Sequence, residues 1–172
     1  MRTRALIAAG ALVLAAHAAA QDQPAATASP SGLALAASLA GGAEAGLDAG
    51  PAGLLELELL AGWEFPATAA RTGLTIRPEL AFALGSAPDT HLALRPGVRL
   101  SVPETPLWLR LAGDWSNARG KDPRWRWVLV GVAWEVRVTG VLGLSFEADT
   151  GIPVSGSAGL PLLVRAGATF RP

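Results

Sequence analysis

The stretch Leu55-Glu56-Leu57-Glu58-Leu59-Leu60-Ala61-Gly62-Trp63-Glu64-Phe65 decides how the chain is to be read. Leu55, Leu57, Leu59, Ala61, Trp63 and Phe65 fall on one side of a period-two ribbon. Glu56, Glu58, Gly62 and Glu64 fall on the other. A helix would scatter those glutamates around its circumference, whereas a strand gathers them on one face. The segment is therefore a strand with one greasy face and one ionic face.

The same alternation recurs in both directions along the chain. Leu74, Ile76, Pro78, Leu80, Phe82 and Leu84 oppose Thr75, Arg77, Glu79, Ala81 and Ala83. Leu92, Leu94, Val98 and Leu100 oppose His91, Arg95, Gly97 and Arg99, and Leu107, Leu109, Leu111 and Trp115 oppose Trp108, Arg110, Ala112 and Asp114. Val128, Val130, Val132, Trp134 and Val136 oppose Gly131, Ala133, Glu135 and Arg137. Leu142, Leu144, Phe146, Ala148 and Ile152 oppose Gly143, Ser145, Glu147 and Asp149. Leu162, Val164, Ala166, Ala168 and Phe170 oppose Arg165, Gly167 and Thr169. Leu60, Leu129 and Leu163 break the rule by placing a large apolar group on the polar face. A weaker, Ala-rich segment (Leu33, Leu35, Ala37, Leu39) suits a helix equally well; it is taken as a strand because the other seven need a partner to close. The count is then eight, and the fold class is all-β: an eight-stranded antiparallel up-and-down transmembrane β-barrel.

Ahead of the strands, Met1-Arg2-Thr3-Arg4, the apolar run Ala5–Ala16 and the small residues Ala18-Ala19-Ala20 have the three parts of a secretory signal. The run is too short for a membrane helix, which takes roughly 20 apolar residues. The expected organisation is a cleaved signal at 1–20, a flexible Ala/Pro/Ser/Thr leader at 21–32 and a barrel domain at 33–172. Losing Arg2 and Arg4 leaves 12 of the 14 basic residues against 14 acidic ones, a formal −2. No basic cluster suggests a nucleic-acid partner. With no cysteine, the chain has neither disulfide staples nor a lipid-anchor site.

Alternation alone fits two opposite objects: a soluble barrel with an apolar core, or a membrane barrel with its apolar face outside. Side-chain size separates them. The polar faces consist mostly of Gly, Ala, Ser and Thr between Glu, Asp and Arg, and the mature chain has one lysine (Lys121). Such residues suit the crowded interior of an eight-stranded barrel, whereas rows of Leu and Val would overfill it. The apolar face is read as lipid-facing, and the runner-up is a soluble periplasmic barrel carrying an apolar ligand. Trp63, Phe65, Trp134 and Phe170 near one end, and Trp115, Trp125 and Trp127 towards the other, are expected as membrane-interface aromatics. The links alternate in length on average, which would put the longer set outside if both termini are periplasmic.

On this pattern the stretch Leu33–Phe170 resembles the small eight-stranded outer-membrane barrels of the OmpA transmembrane-domain or OmpX type. The resemblance implies a location in the bacterial outer membrane, the lipid bilayer and the barrel-assembly machinery as partners, and a monomer. Members usually end on an aromatic residue; here Val164–Phe170 looks like such a strand, but Arg171 and Pro172 follow the Phe.

The chemistry-bearing residues are the inward charges: Glu56, Glu58, Arg77, Glu79, Arg95, Arg99, Arg110, Asp114, Glu135, Arg137, Glu147, Asp149 and Arg165, with Glu64 on the same face. In a narrow lumen they would form a structural network of guanidinium–carboxylate pairs or, alternatively, a charged ion path. Some barrels of this size modify lipids, which needs a nucleophile and a base within reach. His91 is the one histidine after the signal; Ser101 lies ten residues away, roughly 33 Å along a strand, and Ser116 and Ser145 have no evident base. No enzyme activity, cofactor or metal site is expected, since one His and no Cys make a poor ligand set. The loop sequences Asp89-Thr90, Arg119-Gly120-Lys121-Asp122 and 41–53 could contact other molecules or simply be solvated.

Overall fold

The computed structural model describes residues 31–45, 52–66, 73–87, 89–117, 122–154 and 159–172. The expected signal at 1–20 and nearly all of the leader lie outside the described residues, as do Arg119, Gly120 and Lys121. Eight strands follow one another: β1 (Gly32–Ala45), β2 (Ala52–Pro66), β3 (Thr75–Ala87), β4 (His91–Ser101), β5 (Leu107–Ser116), β6 (Arg124–Arg137), β7 (Leu142–Pro153) and β8 (Leu160–Phe170). Each pairs antiparallel with its sequence neighbour, and β1 closes on β8 to complete the barrel.

Closure explains why the Ala-rich first segment is a strand. Its backbone pairs on both sides, from Leu33↔Trp63 to Glu44↔Ala52 with β2 and from Leu35↔Phe170 to Ala45↔Leu160 with β8. A helix there would leave two open sheet edges. Pairing also carries β1 further than its sequence suggests. The run 41–45 and residues 52 and 53, read as loop, are strand. Gly42 lies so close to the Leu162 backbone that a Cβ would not fit, so glycine here permits close approach rather than a turn.

Seven strands keep the expected parity throughout, and β6 keeps it from Val128 to Glu135. Leu80 and Leu111 are 50% exposed and Val130 is 46% exposed, while Ala81, Arg95, Asp114 and Ala133 are fully buried. The three exceptions point inward as their positions dictate: Leu60, Leu129 and Leu163 are buried. Leu163 packs with Ala40 and Leu54, and Leu129 with Ala112 and Trp127. Those small clusters are islands in a polar interior. A soluble barrel would show the reverse, with its leucines and valines gathered inside.

Two local features depart from simple alternation. A register shift between Asp114 and Trp115 pairs Trp115 with Trp125 and Asp114 with Trp127. Arg126 and Trp127 then both point inward, so Trp127 is fully buried and not an interface aromatic. The second concerns the links. From strand end to strand end they run 67–74, 102–106 and 138–141 at the terminal end, and 46–51, 88–90, 117–123 and 154–159 at the other. The longest single link is thus at the terminal end, and length does not separate the two ends.

In the 102–106 link, Thr105 N donates to Val102 O at 3.2 Å, and Glu104 has φ 61°. Pro103 followed by a left-handed residue fits a type II turn, whose third position favours glycine. Glu104→Gly is expected to raise stability by about 0.5–1 kcal/mol by relieving that strain. A urea unfolding titration checks it.

Candidate functional site

The site is the lumen itself. Its charged side chains come from all eight strands, because each strand turns its polar parity inward. They form a central and a terminal group, joined by Arg77–Glu79 at 3.7 Å and Arg99–Glu135 at 4.0 Å, and a third group at the opposite end.

The central group joins β2, β3, β4, β5, β7 and β8. Arg95 sends Nε to Asp114 at 2.7 Å and Nη1 to Glu56 and Glu58, both at 2.8 Å. Arg110 reaches Glu147 at 2.7 Å, Glu79 at 2.9 Å and Glu58 at 3.1 Å. Arg165 holds Asp149 at 2.6 Å and Glu58 at 2.9 Å, and Arg99 holds Glu147 at 2.6 Å and Glu79 at 2.8 Å. Every carboxylate of this group except Asp114 meets more than one cationic side chain, so no guanidinium can move without disturbing several partners.

At the terminal end, Arg77 donates to Glu135 at 2.8 Å and Glu64 at 3.0 Å while its guanidinium lies 4.6 Å from the Trp108 ring centroid. Arg171 donates to the same two carboxylates, Glu64 at 2.9 Å and Glu135. At the opposite end, Glu44 accepts from Arg126 at 3.0 Å and from the Gly159 backbone N–H at 2.7 Å. Trp127 donates from its indole to the Gly159 carbonyl at 2.8 Å, with the Arg126 guanidinium 3.9 Å from its ring centroid. These contacts fasten the start of β8 to the end of β1 and the start of β6.

His91 stands at this second mouth, buried, with Nε2 3.2 Å from Glu56 and Nδ1 2.9 Å from the Asp89 carbonyl. Both ring nitrogens meet acceptors, which the imidazolium form satisfies with two donors. Gly85 lies under the ring, leaving no room for a Cβ. Ser101 accepts from Thr75 N at the far end of β4, and Ser116 donates to Asp114 at 2.9 Å. Ser101 is thus kept from His91 by the length of the strand.

Thirteen of the sequence-derived charges are buried in the lumen: Glu56, Glu58, Glu64, Arg77, Glu79, Arg95, Arg99, Arg110, Asp114, Glu135, Glu147, Asp149 and Arg165. Arg137 is the correction. It is the last residue of β6 and is exposed, and Glu135 is met instead by Arg77 and Arg171. Sequence parity missed Glu44, Arg126 and Arg171 as lumen residues. For Arg171 the signal was present, since Arg165, Gly167, Thr169 and Arg171 share one parity.

Of the expected interface aromatics, Trp63 (47% exposed), Phe65, Trp115 and Phe170 face outward. Trp134 is partly covered by Phe146, whose ring centroid is 5.9 Å away. Trp63, Phe65, Trp134 and Phe170 lie towards the terminal end, and Trp115 and Trp125 towards the other.

Chemically, an interlocked set of this kind fills space and crosslinks strands. Small inward residues are what let it fit: a Cβ at Gly131 would run into the Asp149 carboxylate.

No protein-family model matches the chain, and no curated protein matches it in sequence. Among solved structures it is similar to Neisserial surface protein A from Neisseria, with 14% identity and a TM-score of 0.54 over 87% of this chain and all of that one. A de novo designed transmembrane β-barrel matches at 12% identity and a TM-score of 0.49, over 84% of this chain and 98% of the design. The chain has the fold of the small eight-stranded transmembrane β-barrels.

Proposed function

We propose that the chain is an exported outer-membrane protein, inserted as a monomer by the barrel-assembly machinery. Its role is structural or interaction-based, exercised through the links it displays at the surface; it needs no cofactor and is not an enzyme. The observation that carries this reading is the inversion of burial, with leucine and valine outside and glutamate and arginine inside. In water that arrangement would be costly on both counts, whereas in lipid it is the stable one. The strands, from 10 residues in β5 to 15 in β2, meet the roughly 9–11 residues a tilted transmembrane strand needs. Aromatic residues towards both ends fit the girdles of such barrels. The OmpA/OmpX resemblance and the likeness to a Neisserial surface protein support the same location.

Membrane fractionation tests the proposal. The protein should be extracted only by detergent and should migrate differently in unheated and heated samples. Release by osmotic shock would overturn it and revive a soluble periplasmic barrel.

The interlocked lumen favours a closed barrel over the narrow ion path. Reconstituted in planar bilayers, the protein is expected to give no single-channel steps. Regular ion-selective steps would contradict a closed lumen while leaving the membrane location intact.

A further inference from the structure

The dipeptide Arg-Pro occurs twice inside strands, as Arg77-Pro78 in β3 and Arg95-Pro96 in β4. Proline has no N–H to give to a ladder and is uncommon in a strand paired on both sides. The ladder between β3 and β4 nevertheless runs unbroken past both prolines, from Ile76↔Leu100 to Gly85↔His91. The breaks lie on the outer flanks of this hairpin. Between β2 and β3 the pairing lapses from Gly62↔Glu79 to Phe65↔Ile76, and between β4 and β5 it lapses from Leu94↔Trp115 to Gly97↔Ala112. Pro78 thus turns its missing donor toward β2 and Pro96 toward β5. The carbonyls opposite, of Trp63 and Gly113, lose the N–H that a ladder would supply, and lipid offers no substitute.

Each break is spanned from the lumen side. An arginine one residue before the proline points inward while the pyrrolidine faces lipid. Continuing the register sets Arg77 opposite Glu64 and Arg95 opposite Asp114, and both pairs are joined, at 3.0 Å and 2.7 Å. On the lipid side, Trp63 falls opposite Pro78, and the Trp125 ring lies over Gly113, where a Cβ would come within 2.6 Å of it. We propose that β3 and β4 form a latched panel in the barrel wall. The hairpin parts from β2 and β5 at the two proline breaks, ahead of the rest of the barrel, and the Arg77–Glu64 and Arg95–Asp114 pairs hold it shut. Prolines aimed into the shared β3–β4 ladder would weaken the hairpin itself. Aimed outward, they leave it whole and loosen its borders. Glu64 also takes Arg171, whereas Asp114 serves Arg95, so the β4–β5 border is the one to probe.

The test follows amide hydrogen exchange by NMR, residue by residue, in the full barrel folded in detergent micelles. Val98 and Gly113 direct their N–H groups across the β4–β5 border, while Ala81 and Arg95 direct theirs into the β3–β4 ladder. In the wild type the border amides are expected to exchange about tenfold faster than the ladder amides, relative to their intrinsic rates, the effect of one missing hydrogen bond. Pro96→Leu restores the donor and should bring Val98 and Gly113 down to the rate of Ala81 and Arg95. Asp114→Asn releases the latch and should speed the border amides alone, both variants running as folded barrels in unheated gels. Equal exchange of the two sets in the wild type, or a difference that survives Pro96→Leu, would overturn the panel. An Asp114→Asn effect that is absent, or shared equally by both sets, would overturn the latch. Should Asp114→Asn fail to fold, the wild type and Pro96→Leu still decide whether the panel exists.

Discussion

Leu80→Arg and Val130→Arg are expected to block insertion. Both residues lie in the middle of their strands and face outward, 50% and 46% exposed. An arginine on the lipid face at the bilayer midplane costs roughly 2–4 kcal/mol, or roughly a 30- to 900-fold loss in the folded-to-unfolded ratio. The barrel has little means of absorbing that loss, because the outward rows of β3 and β6 carry no partner for the new charge; their nearest neighbours across the sheet are Ala61 and Pro96 for Leu80, and Leu111 and Thr150 for Val130. Leu80→Val at the same site should insert normally. Folding into lipid vesicles, followed by the unheated gel shift, separates the outcomes.

Arg110→Met is expected to be the most damaging single change inside the lumen. Arg110 is fully enclosed and within reach of Glu58, Glu79, Glu147 and, at 3.8 Å, Asp149. Methionine fills much of the volume but leaves those carboxylates short of a counter-charge in a medium that solvates them poorly. Breaking a buried pair by deleting one partner typically costs about 3–5 kcal/mol, and here several pairs share the lost group. Urea titration of the refolded barrel should show the loss as a lower midpoint. Arg137→Met serves as the contrast, since Arg137 is exposed at the end of β6, and its midpoint should stay near that of the wild type.

Most of this arrangement was legible in the sequence because the alternation is nearly free of contradiction. Glu56, Glu58 and Glu64 share a parity with each other and with buried Leu60, so one strand sets inside and outside. Paired strands must agree with it face for face. What escaped has physical reasons. Arg126 and Trp127 point inward through a bulge opposite Asp114 and Trp115, and a bulge depends on the partner strand as much as on its own residues. Glu44 sits in a Gly/Ala run that looks like a loop until both of its edges are paired. Its contact with Gly159 spans 115 residues of sequence, a separation that local reading does not cross. Arg137 has the right parity at the wrong height, which only the barrel's vertical packing reveals.

Because the chain has no cysteine, Leu80→Cys and Val130→Cys each give a single labelling site. Placed in vesicles whose lipids carry bromine near the bilayer centre, a fluorophore at either position should be strongly quenched by the lipid and untouched by aqueous iodide. Quenching by iodide with none from the brominated lipid would mean that these rows face water, and the account of the barrel's two faces would fail.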